Sequence, residues 1–237
     1  MLIYNDILLA KKNNQKLLAI LLDPDKIDLS MIDLLSQKIK QSPATHVFIG
    51  GSSFTGNHLD EMIEKLKSNL EFPIILFPGN PTQISNYGDG ILFLSLISGR
   101  NPDFLIEHQV NAVPILKKTN LEIISTGYIL IESGQQTAVE RVSKTIALAI
   151  NNPDYILQTA QAGEMMGNKL IYLEAGSGAD SPVPEKIIEI VARNINVPLI
   201  VGGGLRSFSA IKKAYFAGAD MVVIGTAFEN DIHFFDK

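Results

Sequence analysis

Short runs of apolar residues recur along the chain at 17–22, 47–49, 74–77, 91–94, 123–124 leading to 128–131, 170–173, 199–201 and 221–224. Most are followed within a residue or two by Gly, Pro, Asp or Ser. They are continuous rather than alternating, the pattern of parallel strands buried on both faces. The stretches between them, at 29–40, 59–70, 102–110, 153–166, 184–193 and 207–217, mix apolar and polar positions at helical spacing. Several open with Ser or with Pro near the first turn, and some close near Gly, as helix boundaries do. The interval from 127 to 170 is long for one crossover, so an extra helix is expected near 137–150. Strands alternating with helices predict an α/β protein, a single-domain (β/α)8 TIM barrel over 1–237, with a doubly wound open sheet as the alternative.

Length agrees with that architecture, since 237 residues approach the roughly 250 typical of such barrels. The formal charge of −5, without long basic runs, argues against a nucleic-acid partner but leaves small anionic ligands open. The absence of cysteine excludes disulfides, thiolate metal sites and cysteine nucleophiles. The opening residues lack a signal pattern, and no apolar run reaches the ~18 residues of a spanning helix. A soluble, cytoplasmic protein without a transmembrane segment is expected.

In a barrel, catalytic groups sit just after the strands. The positions collected there are Asp23, Asp25 and Lys26; Gly50, Gly51, Ser52 and Ser53; Pro78, Gly79 and Asn80; Ser95; Glu132; Glu174 and Ser177; Gly202, Gly203 and Gly204; and Gly225 with Thr226. Gly203, Gly204, Gly225 and Thr226 follow the last two strands, where barrels often bind phosphate through backbone N–H groups. The turn Ala175-Gly176-Ser177-Gly178 adds to that cradle, and no Gly-Lys-Ser/Thr follows to make a Walker loop. Glu174, at a strand end beside the cradle, can accept a proton from a hydroxyl or hydrogen-bond one. Asp23, with Asp25 and Ser52 nearby, suits a hard cation such as Mg²⁺, although Asp-Pro-Asp is also an ordinary turn. The histidines at 46, 58, 108 and 233 have no ligand spacing and are expected to be structural or solvated.

Several strings, in this order, resemble the geranylgeranylglyceryl phosphate synthase family with its heptaprenylglyceryl phosphate synthase relatives. They are Leu22-Asp23-Pro24-Asp25-Lys26, Ile49-Gly50-Gly51-Ser52, Phe77-Pro78-Gly79-Asn80, Phe93-Leu94-Ser95-Leu96-Ile97-Ser98-Gly99-Arg100-Asn101-Pro102, Thr126-Gly127-Tyr128, Tyr172-Leu173-Glu174-Ala175-Gly176-Ser177-Gly178 and Val201 to Arg206 with Gly225-Thr226. The resemblance implies a Mg²⁺-dependent prenyltransferase in which glycerol 1-phosphate attacks C1 of a polyprenyl diphosphate, giving an ether-linked prenylglyceryl phosphate and diphosphate. Carried over by motif, Asp23 and Ser52 would hold Mg²⁺. Tyr172, Leu173, Glu174, Ala175, Gly176, Ser177 and Gly178, with Gly203, Gly204, Gly225 and Thr226, would bind glycerol 1-phosphate. Glu174 would orient or deprotonate its hydroxyl. A prenyl tail would need an apolar groove, for which Tyr128 and the 91–97 region are candidates. The resemblance also implies a homo-oligomer, and the Ala-Gly-Ser-Gly ending favours the archaeal-type branch and a C20 donor. Leu21 departs from relatives that carry Lys there, and Lys26, Arg100 or Arg206 could replace that charge. A phosphosugar isomerase or epimerase, or a non-catalytic phosphometabolite-binding barrel, would use the same cradle.

Overall fold

The computed structural model describes residues 2–51, 56 and 58–236. Its strands are β1 (Leu17–Leu22), β2 (His46–Ile49), β3 (Ile74–Leu76), β4 (Gly90–Leu96), β5 (Glu122–Leu130), β6 (Leu170–Glu174), β7 (Leu199–Gly202) and β8 (Met221–Ile224). They pair in sequence order, all parallel, and β8 returns to β1 through Leu17↔Met221 and Ile20↔Ile224, closing the barrel. The open-sheet alternative is excluded by that closure.

The helices are α1 (Ile3–Lys12), α2 (Ile32–Gln41), α3 (Leu59–Asn69), α4 (His108–Leu116), α5 (Ala138–Ser143), α6 (Pro153–Met165), α7 (Glu185–Asn194), α8 (Phe208–Ala217) and α9 (Thr226–Asn230). Outward side chains of the strands, such as Leu18, Ile20 and Leu22 of β1, pack with helix residues including Ile39, Ile63 and Ile188. Inward ones, such as Ala19, Phe48, Leu92, Tyr172 and Ile200, fill the barrel. The period-two alternation of a strand thus sorts one apolar run into two cores.

Four local features depart from the sequence pattern. Helix α1 closes the bottom of the barrel: Ile3, Ile7 and Ala10 join the inner core, and Glu122 accepts the N–H groups of Ile3 and Tyr4. β5 runs unbroken for nine residues through the polar Ser125-Thr126-Gly127 interruption of its apolar pattern, because seven of its residues pair with β4. The helix expected over 102–110 starts as a π-turn at Asp103–Glu107 and continues as α4 to Leu116 despite Pro114 inside it. No helix forms between β3 and β4. Residues 77–89 hold Pro78, Gly79, Pro81 and Gly88, poor helix formers, and the loop is tied instead by Gly79 N–H donating to Gln83 Oε1 at 2.9 Å. One outer position of the barrel is therefore left without its helix, next to α4. The extra helix expected near 137–150 is α5, closed at its start by a Thr137–Glu140 capping box.

Candidate active site

A large cleft opens at the C-terminal ends of the strands, with about 1540 Å3 of space including its open mouth.

Strand parity builds its centre. Tyr172 and Glu174, two residues apart on β6, both point inward, while Leu173 between them is buried in the sheet–helix core. Glu174 pairs in register with Gly202 on β7, and the missing side chain there makes room for both groups. A Cβ on Gly202 would lie 2.3 Å from the Tyr172 hydroxyl and 2.7 Å from Glu174 Oε2. The Glu174 carboxylate accepts the Gly176 N–H at 2.7 Å and the Tyr172 hydroxyl. Burial pushes its pKa up to about 7, against the opposing pull of those two hydrogen bonds. Burial, then the charge of Glu174, holds the Tyr172 and Tyr128 hydroxyls well above the ordinary tyrosine value, so both stay protonated. Phe77, Tyr128 and Tyr172 form an aromatic floor, with centroids 5.2–5.9 Å apart.

Around this carboxylate the turns after β6, β7 and β8 converge. Gly203 and Gly204 run consecutively at φ +81° and +67°, a left-handed path open to glycine. A Cβ on Gly203 would strike Glu174 Oε1 at 2.3 Å and the Gly176 nitrogen at 2.6 Å. Ser177 and Thr226 hydroxyl oxygens stand 3.3 Å apart, joining the β6 turn to the start of α9. Arg206 donates to the carbonyls of Gly178 and Ala179 at 3.0 and 2.8 Å, and Gln135 donates to Gly178 at 2.8 Å, so the turn is held from both sides. Bare backbone, two hydroxyls and a buried base share one small space, an arrangement that can hold an anion and take a proton beside it.

The β1 rim faces the same cleft. Asp23 Oδ1 accepts the Asp25 N–H at 3.1 Å, and its carboxylate fills the space that a Cβ on Gly51 would enter at 2.6 Å. Lys26 Nζ lies 2.8 Å from Glu229 Oε2 and 3.5 Å from Asp23 Oδ2. Burial alone would lower the Lys26 pKa, but its bond to Glu229 and the charges of Glu229 and Asp23 outweigh that and raise it. Among the described residues no group of three His, Cys, Asp or Glu could hold a metal alone. One accessible carboxylate beside a glycine does fit a Mg²⁺ that keeps its waters and takes substrate oxygens. Ser52, the expected second ligand, lies outside the described residues, as does Ser53.

Of the other expected residues, Asp23, Tyr128, Tyr172, Glu174, Gly176, Ser177, Gly178, Gly203, Gly204, Gly225 and Thr226 line the cleft. Leu173 and Ala175 do not; both are fully buried, and the Ala175 N–H is engaged by Gly202 O at 3.0 Å. The exposed Asp25 side chain, Ser95 and Glu132 also lie off the cleft: Ser95 donates to Leu105 O, and Glu132 accepts the Ile150 N–H. Arg100 is spent on the carbonyls of Ile97 and Gly99 and on the Tyr155 hydroxyl. Sequence reasoning missed Ile84, Phe104, His108, Gln109 and Val139, which line an apolar arm of the cleft with Ile91, Phe93 and Leu94. His108, expected to be structural or solvated, lies against Phe104 at 4.6 Å in that wall. Only the bend of the chain where a helix is missing brings these together, and no strand-end rule points to them.

Comparison with known proteins identifies the family and supports the fold. The PcrB family model matches residues 11–236. The geranylgeranylglyceryl phosphate synthase of Flavobacterium johnsoniae is 64% identical, covering 99% of this chain and 97% of that one. That of Pyrococcus furiosus is 39% identical, covering 93% and 87%. Among solved structures, (S)-3-O-geranylgeranylglyceryl phosphate synthase from Thermoplasma acidophilum, in complex with its substrate sn-glycerol-1-phosphate, superposes with TM-score 0.94 at 30% identity, covering 100% of this chain and 95% of that one. A mutant tryptophan synthase α-subunit, at 13% identity and TM-score 0.58, shares the barrel alone. The chain belongs to the PcrB family.

Proposed function

We propose that this prenyltransferase joins sn-glycerol 1-phosphate to a polyprenyl diphosphate, of geranylgeranyl length, in a Mg²⁺-dependent reaction carried out in the cytoplasm. The observation that carries this reading is the composition of one cleft. It holds Glu174 beside the glycine turns, Asp23 and Lys26 at the neighbouring rim, and an apolar arm walled by β4 and α4. A phosphosugar isomerase would need a second acid or base facing Glu174, whereas burial and the Glu174 charge raise the Tyr128 and Tyr172 pKa values, making them weak acids with no phenolate to serve as a base.

In this reading the phosphate of glycerol 1-phosphate sits among Ser177, Gly203, Gly204, Gly225 and Thr226. Its free primary hydroxyl then points to Glu174, and fixing it there turns a bimolecular encounter into a positioned one. The hydroxyl oxygen forms a bond to C1 of the donor as the allylic C1–O bond breaks. The diphosphate departs with that electron pair, and the hydroxyl proton passes to Glu174. A carboxylate whose pKa is about 7 is half ionised at neutral pH and strong enough to accept it. Asp23 would hold Mg²⁺, which when bound neutralises charge on the departing diphosphate oxygens. The tail would lie against Ile84, Ile91, Phe93, Phe104 and Tyr128, where each methylene removed from water contributes about 0.8 kcal/mol.

Incubation of the purified protein with sn-glycerol 1-phosphate and prenyl diphosphates of several lengths tests the proposal. Prenylglyceryl phosphate should form fastest with the C20 donor, stop on chelation with EDTA and return with added Mg²⁺. No prenylated product with any donor would refute it.

A further inference from the structure

The rim at Asp23 needs a fixed positive charge to meet a diphosphate, and Leu21 offers none. Arg206 and Lys26 are the permanently charged cations lining the cleft among the described residues. Arg206 spends its Nη2 on the carbonyls of Gly178 and Ala179, on the glycerol-phosphate side of the cleft. Lys26 is the one at the Asp23 rim, its Nζ 3.5 Å from Asp23 Oδ2 and its side chain 47% exposed.

How Lys26 is held is unusual for a surface lysine. Its partner Glu229 has a side chain only 7% exposed and stands on α9, the element whose first residue, Thr226, belongs to the proposed phosphate socket. Oε2 of Glu229 accepts from Lys26 at 2.8 Å, while Oε1 accepts the backbone N–H of Asp23 at 3.1 Å. One buried carboxylate therefore fixes both the start of the β1 turn and the ammonium three residues along it. The tether crosses the seam where β8 closes on β1. A lysine on four methylenes ordinarily loses much rotamer freedom on meeting a ligand, and a tether of this kind removes that loss beforehand.

We propose that Lys26 contacts the diphosphate group of the donor, and that Glu229 is the positioning residue that holds it there. This assignment rests on the prenyl-transfer reading. It adds no covalent step: the negative charge that diphosphate gains as the C1–O bond breaks is met by an ammonium already in place.

The test uses the full chain, with calorimetric binding of inorganic diphosphate in the presence of Mg²⁺ beside separate KM values for the two substrates. Lys26→Met should weaken inorganic diphosphate binding and raise the KM for the prenyl donor by roughly tenfold or more, as for a lost charged hydrogen bond. The KM for glycerol 1-phosphate should stay within about twofold. Glu229→Gln can still accept the Asp23 N–H, so the turn is kept while the charge partner of Lys26 is lost; it should show the same pattern, more weakly. The double variant should be no worse than Lys26→Met alone, because nothing remains to position, and Lys26→Arg should recover most of the affinity. Additive losses in the double variant, or equal KM rises for both substrates, would overturn the positioning role. Unchanged diphosphate binding in Lys26→Met would overturn the contact. If the wild-type protein binds diphosphate through Lys26 yet makes no prenylated product, the transfer reading fails and the anion site stands.

Discussion

At the scale of single residues, the environment of Glu174 sets its chemistry more than its identity does. Loss of water raises its pKa to about 7 from 4.5, while the Gly176 N–H and the Tyr172 hydroxyl pull the other way. The active form is the carboxylate, so kcat/KM should rise with pH up to about 7 and level off above it. Glu174→Gln should lower kcat by roughly 10²–10⁴-fold and abolish that limb. Tyr172→Phe removes a hydrogen bond that favours the ionised form, so the limb should move to higher pH in a pH–rate profile. Stability runs the opposite way with pH. The folded state holds a proton that the unfolded chain releases between 4.5 and about 7, so stability should fall as pH rises through that window and then stay level. Denaturant midpoints measured across the window, with Glu174→Gln as the flat control, check this.

At the scale of elements, the site depends on turns held by neighbours as well as by their own hydrogen bonds. Gly178 and Ala179 present their carbonyls to Arg206, which enters from the turn after β7. Arg206→Met should loosen the phosphate turn without touching Glu174, raising the KM for glycerol 1-phosphate by roughly threefold to tenfold with kcat nearly unchanged. Equal losses in kcat and kcat/KM in steady-state assays would contradict that division. The strands, α2, α3, α6, α7 and α8 were legible because their apolar periods are strong and their boundaries carry Ser, Pro or Gly. α1 was not, since its buried face of Ile3, Ile7 and Ala10 is narrow and its partner Glu122 is 119 residues from Ile3. The length of α4 was not either, because Pro114 reads as a stop while packing of Ala112 and Leu116 carries the helix past it.

At the scale of the whole molecule, Ile106, Val110 and Val113 are 58%, 54% and 40% exposed, and their spacing puts them on one side of the helical segment containing α4. No helix among the described residues is long and apolar enough to cross a membrane. The sequence by itself determined the barrel, its strand order, and the carboxylates and glycines at its rim, because strand periodicity and turn chemistry are local and repeat along the chain. Tertiary structure alone decided that Glu174 would be buried beside Gly202, that Glu229 would reach Lys26 from the far end of the chain, and that a missing helix would leave an apolar arm of the cleft open. Those are consequences of ring closure and packing, which join residues that no local pattern relates.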